Sequence, residues 1–125
     1  MIRTILKSKV KKLFISSSSI HYNGSIALPD EIIEAANLKI FEQVHVNNLT
    51  NGNRIITYVI RSNQKGYVTI NGAASKLFSK GDEIHILSYV QMSDEKIQDF
   101  KPILIITNKL NEVIEITNYS DLMEI

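Results

Sequence analysis

Hydrophobic positions alternate with polar ones along much of this chain, which is the pattern of half-buried β-strands. Val44 and Val46 alternate with His45 and Asn47, and β-branched residues dominate positions 55–60. Such side chains pack well on a pleated surface and are enriched in strands. The pattern predicts strands at residues 2–15, from 42 onward, and at 55–60, 84–91, 103–107 and 112–116.

One convincing helix is predicted to begin at Pro29. Proline is tolerated at a first helical position because its missing N–H would have no helical partner there. Asp30 and Glu31 follow at the positive end of the helix dipole, and Asn37 is suited to a left-handed stop. The inward apolar stripe consists of Ile32, Ile33 and Ala36.

The segments between the strands read as turns and short helices. Asn51-Gly52 and Asn71-Gly72 are turn signals of the hairpin kind, because both residue types tolerate positive φ. Residues 73–78 are expected to form one helical turn, and 93–98 a short helix with Ser93 as N-cap. Residues 16–19 are expected to be a connector, and 118–125 a loose tail.

Six or more short strands with one substantial helix predict a mainly β domain, arranged as a small and mostly antiparallel barrel. The chain has 125 residues, enough for one domain with a real core. It contains no internal repeat and no composition shift that would mark a boundary. A single domain over residues 1–125 is therefore expected.

The charge balance and the residue types present argue against several classes of protein function. Lys plus Arg is 14 and Asp plus Glu is 13, so a formal charge of +1 indicates no nucleic-acid or anionic-membrane partner. The absence of cysteine excludes a disulfide scaffold and a thiolate nucleophile. His45 and His85 are isolated strand residues, so no metal site is expected. With no long apolar run and no signal-peptide core, a cytoplasmic enzyme is consistent with the sequence.

The candidate chemistry centres on Gly24-Ser25, within the segment His21-Tyr22-Asn23-Gly24-Ser25. One interpretation is an ordinary surface turn signalled by Asn23-Gly24. The other is a bond that the protein cuts in itself. A serine hydroxyl can attack the preceding carbonyl when the backbone is strained, and glycine there removes a Cβ that would block the geometry. The residues alone leave both interpretations open.

The wider pattern resembles the bacterial aspartate 1-decarboxylase family. The N-terminal segment at residues 1–9 and the segment around Ser25 are followed, in nearly the family's order and spacing, by further matching blocks. Together the blocks cover roughly the first ninety residues. The later ones are Asn48-Leu49-Thr50-Asn51-Gly52-Asn53-Arg54, Thr57-Tyr58, Ile70-Asn71-Gly72-Ala73-Ala74 and Gly81-Asp82.

This resemblance implies a six-stranded double-psi β-barrel assembled as a homotetramer, with active sites near subunit interfaces. It implies cleavage at Gly24-Ser25 into a β chain of residues 1–24 and an α chain of residues 25–125. The Ser25 hydroxyl would convert the Gly24 amide to an ester. β-Elimination would then leave dehydroalanine, and hydrolysis with loss of ammonia would leave a pyruvoyl group.

The implied reaction is decarboxylation of L-aspartate to β-alanine, a step toward pantothenate. Decarboxylation leaves an electron pair on Cα that no unmodified side chain can absorb. An electrophilic carbonyl that forms an imine with the substrate amine is therefore needed. A pyruvoyl group derived from Ser25 would be this covalent cofactor.

The resemblance also implies roles for four other residues. Thr57 would contact the substrate and would donate to the Gly24 carbonyl during cleavage. Tyr58 would protonate Cα after carbon dioxide leaves. Arg54 would hold a substrate carboxylate, and Lys9 would add a second positive charge. From the residues alone, Tyr58 is equally a core tyrosine and Lys9 a solvated strand lysine.

Asn71, Gly72, Ala73 and Ala74 would form a loop beside the pyruvoyl group, with small side chains that leave room for substrate. Two positions depart from the family's pattern, which often has histidine at Lys11 and an aromatic residue at Asn47. Both adjoin active-site blocks. The resemblance therefore extends to the cleavage chemistry but not to substrate contacts at these two positions.

Two alternative functions belong to other classes. A non-enzymatic β-barrel binding module would fit the strand pattern and the lysines between residues 7 and 12. It would have no need for Gly24-Ser25, Arg54 and Thr57-Tyr58 together. An autoproteolytic N-terminal-nucleophile hydrolase would expose a serine amine rather than destroy it, and such chains are usually much longer.

Overall fold

The computed structural model describes residues 1–19 and 25–120, which are mainly β with two short helices, as predicted. A 3-10 turn spans Ala73–Leu77. In this part of the chain, no helix has the length and apolar character required to cross a membrane. The helices are α1 (Asp30–Ala35) and α2 (Asp94–Ile97); the strands are β1 (Ile2–Phe14), β2 (Ser17–Ser19), β3 (Ser25–Leu28), β4 (Gln43–Asn48), β5 (Arg54–Arg61), β6 (Thr69–Asn71), β7 (Glu83–Ser93), β8 (Ile103–Thr107) and β9 (Val113–Asn118).

The strands are hydrogen-bonded in the order β2-β6-β3-β5-β4-β7-β1-β8-β9. Most pairs are antiparallel, as expected, while β1–β8, β2–β6 and β3–β5 are parallel. Within the described ranges this sheet has nine strands rather than six. Closure into a six-stranded double-psi barrel stays a prediction.

The core lies against one face of the long strands, where the alternation places the apolar side chains. Val10, Ile86 and Val46 form one row across β1, β7 and β4, and all are at most 1% exposed. Ile32 and Ile33 of α1 pack into the same cluster. The opposite face of these strands carries polar side chains, and the candidate site lies there.

Two predictions of local structure need correction, and one short strand escaped prediction. Residues 16–19 are not only a connector, because Ser17–Ser19 pairs in parallel with β6. Strand β3 was not predicted, because all four of its residues are buried and its pattern does not alternate. Asn71-Gly72 is not a hairpin turn, since β6 and β7 are not neighbours in the sheet. The hairpin prediction at Asn51-Gly52 is confirmed by the antiparallel pairing of β4 with β5.

The predicted helix is confirmed with a shift of one residue at its start. Pro29 is the N-cap, and Asp30 is the first helical residue. Asn37 has a φ of 54°, the left-handed conformation expected of a stop. Ser93 is the N-cap of α2 as predicted, but its side chain makes no capping hydrogen bond.

Asn48 joins the hairpin that leads into β5 to the segment that follows β6. Its side chain is 1% exposed. Nδ2 donates to the Leu77 carbonyl at 3.2 Å and to Asp82 Oδ2 at 2.8 Å, and Oδ1 accepts from the Thr50 N–H at 2.9 Å. The first matching residue of the Asn48–Arg54 block is therefore a structural amide.

We expect Asn48→Ala to lower the free energy of unfolding by about 2–3 kcal/mol, because it removes three hydrogen bonds made by one buried amide. Urea denaturation at a fixed protein concentration measures this loss. Asn63→Ala is the control, since Asn63 is exposed. Equal stabilities of the two variants would contradict the structural role of Asn48.

Candidate active site

Ser25 is the first residue of β3, which lies between β5 and β6. It is 3% exposed and pairs with Asn71 in the antiparallel ladder. Asn71 Nδ2 donates a hydrogen bond to Ser25 Oγ at 3.2 Å. The structure thus brings together two residues that the sequence predicted for one site. The predicted cleavage residue Gly24, together with Tyr22 and His21, lies outside the described residues.

Tyr58 is positioned beside Ser25 by the parallel ladder of β3 and β5. Ile26 pairs with Val59, so Ser25 and Tyr58 precede paired residues and share a sheet face. Thr57 lies on the other face of β5, opposite Val44 of β4. The side chains of Thr57 and Tyr58 therefore lie on opposite faces of the sheet.

Arg54 is the first residue of β5 and lies on the same face as Tyr58, because the two are four positions apart and strand side chains alternate with a period of two. At about 3.3 Å per residue, their Cα atoms are roughly 13 Å apart along the strand. The exposed Arg54 side chain donates from Nε to Asn47 Oδ1 at 3.1 Å. Both residues line a surface cavity of about 260 Å³, together with His45, Ile55 and Ile56.

Lys9 lies farther from this group than the sequence suggested. It is on β1, which β4 and β7 separate from β5 in the sheet order. Its ladder partners are Leu87 of β7 and Leu104 of β8. Within one copy of the chain, the sheet order does not make Lys9 a neighbour of Ser25 or Tyr58.

His85 lies between the lysines of β1 and the amide of β4. It pairs with Asn47 in the ladder of β7 and β4. Its own burial, followed by the positive charges of Lys9 and Lys11, lowers the pKa of His85 from 6.5 to about 4. The imidazole is therefore neutral at neutral pH, and the positive charge of this face resides on the neighbouring lysines and Arg54.

The predicted small-residue loop follows β6 directly. Gly72 precedes the 3-10 turn with φ 81° and ψ −160°, a conformation essentially confined to glycine. Its N–H donates to the Ser19 carbonyl at 2.7 Å, which ties the loop to β2. Ala73 is exposed and Ala74 packs against the core.

The sequence did not reveal two features of this face. Asn47 was noted as a departure from the family's pattern, not as the partner of Arg54, and His85 was interpreted as isolated. Strand alternation put residues 45 and 47 on one face, but only the pairing of β5, β4 and β7 shows that Arg54, Asn47 and His85 form one row.

Comparisons with known proteins agree with the resemblance. The family model described as aspartate decarboxylase matches residues 1–114. Aspartate 1-decarboxylase of Campylobacter jejuni is 35% identical over 116 residues, covering 93% of this chain and 92% of that protein. The Persephonella marina protein of the same name is 41% identical over 114 residues, covering 90% and 81%. The Albidiferax ferrireducens one is 37% identical over 114 residues, covering 90% and 84%. This chain belongs to the aspartate decarboxylase family.

Proposed function

We propose that this protein is an aspartate 1-decarboxylase, a carboxy-lyase that converts L-aspartate to β-alanine and carbon dioxide, a step in pantothenate biosynthesis. The observation that carries the proposal is the buried Ser25, held by Asn71 at 3.2 Å in a chain of this family. An ordinary surface turn would not require a buried serine at this position. The contact therefore favours the self-cleavage interpretation of Gly24-Ser25.

The proposed cofactor is a pyruvoyl group formed at position 25 after cleavage. The surroundings fit such a group, because the position is shielded from water and Asn71 Nδ2 can donate to an oxygen there. When formed, the group supplies an electrophilic carbonyl that binds the substrate amine and takes up the electron pair left by departing carbon dioxide. The small residues Gly72, Ala73 and Ala74 would leave room for the substrate beside it.

Arg54 would hold a carboxylate of aspartate. A planar guanidinium binds a carboxylate through two parallel N–H bonds, which lysine cannot do. Arg54 and Tyr58 share a face, so both would approach the substrate from the same side of the sheet. Because His85 stays neutral, its imidazole adds no competing charge to this surface.

Tyr58 would supply the proton that Cα needs once the carboxylate has left as carbon dioxide. Its hydroxyl is on the face that Ser25 shares, so the proton donor and the reacting carbon would lie on one side of the sheet. Solvent would then return a proton to the phenol. Thr57 lies on the other face of β5. Its proposed roles are to contact the substrate and to donate a hydrogen bond to the Gly24 carbonyl during cleavage.

We further propose a homotetramer with active sites near subunit interfaces. Two strands, β4 and β7, separate β5 from β1, the strand that carries Lys9. The lysine that contacts the substrate could therefore come from a second copy of the chain. Ile56, between Arg54 and Tyr58 on β5, is 61% exposed, and Phe41 beside Tyr58 is 73% exposed. Large apolar side chains on a site face favour burial against another subunit. A cytoplasmic location belongs to the same proposal.

The alternative functions receive less support. The curated relatives over about nine tenths of the chain are named as decarboxylases, which disfavours a non-enzymatic binding module. The N-terminal-nucleophile hydrolase would keep a free amine at position 25. The mass of the cleaved fragment distinguishes that alternative from the proposal.

Cleavage between Gly24 and Ser25 is the first test. We expect the fragment of residues 25–125 to be lighter by one ammonia than a peptide that begins with serine, as measured by intact mass spectrometry. Ser25→Ala should remain full-length and inactive. An active, matured sample with an ordinary serine amine at position 25 would disprove the pyruvoyl group.

Tyr58→Phe separates turnover from maturation. The variant loses only the hydroxyl, so it should still cleave itself, while turnover falls by about 10²–10⁴-fold, the usual range for a positioned proton donor. Labelling by aspartate and borohydride should match the parent, which shows that the substrate is still held. Near-normal turnover of the processed variant would mean that another group delivers the proton.

The charge state of His85 can be measured by an NMR titration of its ring. We expect a pKa near 4 in the parent and a partial rise in Lys11→Met, because burial is the larger cause. Lys12→Met, a change of the adjacent lysine, should leave the pKa of His85 unchanged.

The same pKa shift predicts a pH dependence of stability. Between pH 6.5 and about 4 only the unfolded state binds the His85 proton, so His85 should lower the free energy of unfolding as the pH falls through that range. A parent pKa near 6.5 would contradict the neutral imidazole.

A further inference from the structure

The contact between Asn47 and Arg54 crosses a strand pair that fixes both backbones. The two residues face each other in the antiparallel ladder of β4 and β5. Arg54 Nε lies 3.1 Å from Asn47 Oδ1, within the range of an N–H···O hydrogen bond. Both side chains line the same cavity of about 260 Å³. The amide thus holds the arginine at the edge of the proposed substrate site.

The position of this bond on the guanidinium limits how a carboxylate can bind. The group carries five N–H donors, one on Nε and two on each Nη. A carboxylate can approach from the side, across Nε and one Nη, or from the end, across the two Nη atoms. Asn47 occupies the Nε donor, so only the end-on approach keeps two parallel N–H bonds.

The bond also reduces the cost of ordering the side chain. Arg54 is exposed, and a long exposed side chain samples many rotamers before it binds a ligand. Asn47 is short and sits within a strand paired on both sides, with β5 and with β7. Restraint of Arg54 by such a neighbour before substrate arrives is preorganisation, which strengthens binding without a new contact to the substrate.

The Asn47 side chain is uncharged, and this affects the charge of Arg54 that a ligand meets. Asn47 accepts a hydrogen bond without neutralising the arginine, so the positive charge stays available to the ligand. Its other cross-strand neighbour, His85, is also neutral at neutral pH. An aromatic ring, which the family's pattern often has at this position, offers no comparable acceptor. In this chain the hydrogen bond to Arg54 therefore depends on the side-chain oxygen at position 47.

We propose that Asn47 is a positioning residue that directs Arg54 to bind the substrate carboxylate end-on through its two Nη atoms. This inference rests on the proposed function, in which Arg54 holds a carboxylate of aspartate. Asn47 itself is not expected to touch the substrate. It acts through the orientation of Arg54.

The test compares Asn47→Leu with Asn47→Asp in the matured protein. Leucine keeps the size of the side chain without the acceptor, so KM for aspartate should rise by about 5- to 10-fold while kcat stays within about twofold, the signature of lost uniform binding. Aspartate at position 47 keeps an acceptor but neutralises Arg54. We expect it to raise KM by at least another factor of about three, because its charge competes with the substrate carboxylate.

A second readout does not depend on turnover. Succinate carries two carboxylates but no amine, so its dissociation constant, measured by calorimetry, reports carboxylate binding alone. Both variants should weaken succinate binding in the same order as they raise KM. Gln91→Leu is the control, because it removes an exposed strand amide outside the proposed site and should change neither value. Mass spectrometry confirms equal self-cleavage of the samples.

Unchanged KM and succinate affinity in Asn47→Leu would overturn the positioning role, as would a fall in kcat with KM constant. A crystal structure with succinate bound across Nε of Arg54 would also overturn it. A parent that binds succinate without decarboxylating aspartate would disprove the proposed function. In that case, weaker succinate binding by Asn47→Leu would still support the positioning role. A parent that decarboxylates aspartate but binds no succinate would overturn the positioning role alone, since Arg54 would then hold no carboxylate by itself.

Discussion

The register of β5 with its two neighbours is the constraint on which the site depends. On one side β5 pairs in parallel with β3, and this pairing puts Tyr58 on the face of Ser25. On the other side it pairs antiparallel with β4, which sets Arg54 against Asn47. Because side chains alternate with a period of two, a slip of one residue on either side would send one partner to the opposite face. The buried pair Ile26 and Val59 opposes such a slip between β3 and β5, since one of the two would leave the core face.

The strands with one buried face could be predicted, because their alternation is visible in the sequence. Residues 44–47 and 84–91 are of this kind. The short strand β3 could not be predicted, since all four of its residues are buried, including Ser25, and a continuously buried segment has no period. Residues Ser17–Ser19 form a strand because they pair with β6, a tertiary contact that the run of serines does not reveal.

The candidate site was predicted by resemblance rather than by pattern. Ser25 and Asn71 are 46 positions apart, and no local rule indicates that they touch. Asn48 shows the converse, because its place in a matching block suggested function while its buried hydrogen bonds show a structural role. Charge was harder still to infer. The neutrality of His85 depends on burial and on two lysines of another strand, which only the pairing of β1 with β7 brings near.

The pairing of β1 has a consequence for the lifetime of the protein. This strand lies wholly within the first 24 residues, yet it pairs with β7 from Ile2 to Phe14 and with β8 from Ser8 to Lys11. If the chain is cut after position 24, the strand remains in the sheet without a covalent link to it. Unfolding then becomes a dissociation, and recovery requires two separate polypeptides to meet, which depends on their concentration. In dilute solution, a cleaved molecule that releases this strand does not refold. Its stability is therefore kinetic, set by the rate of unfolding rather than by an equilibrium.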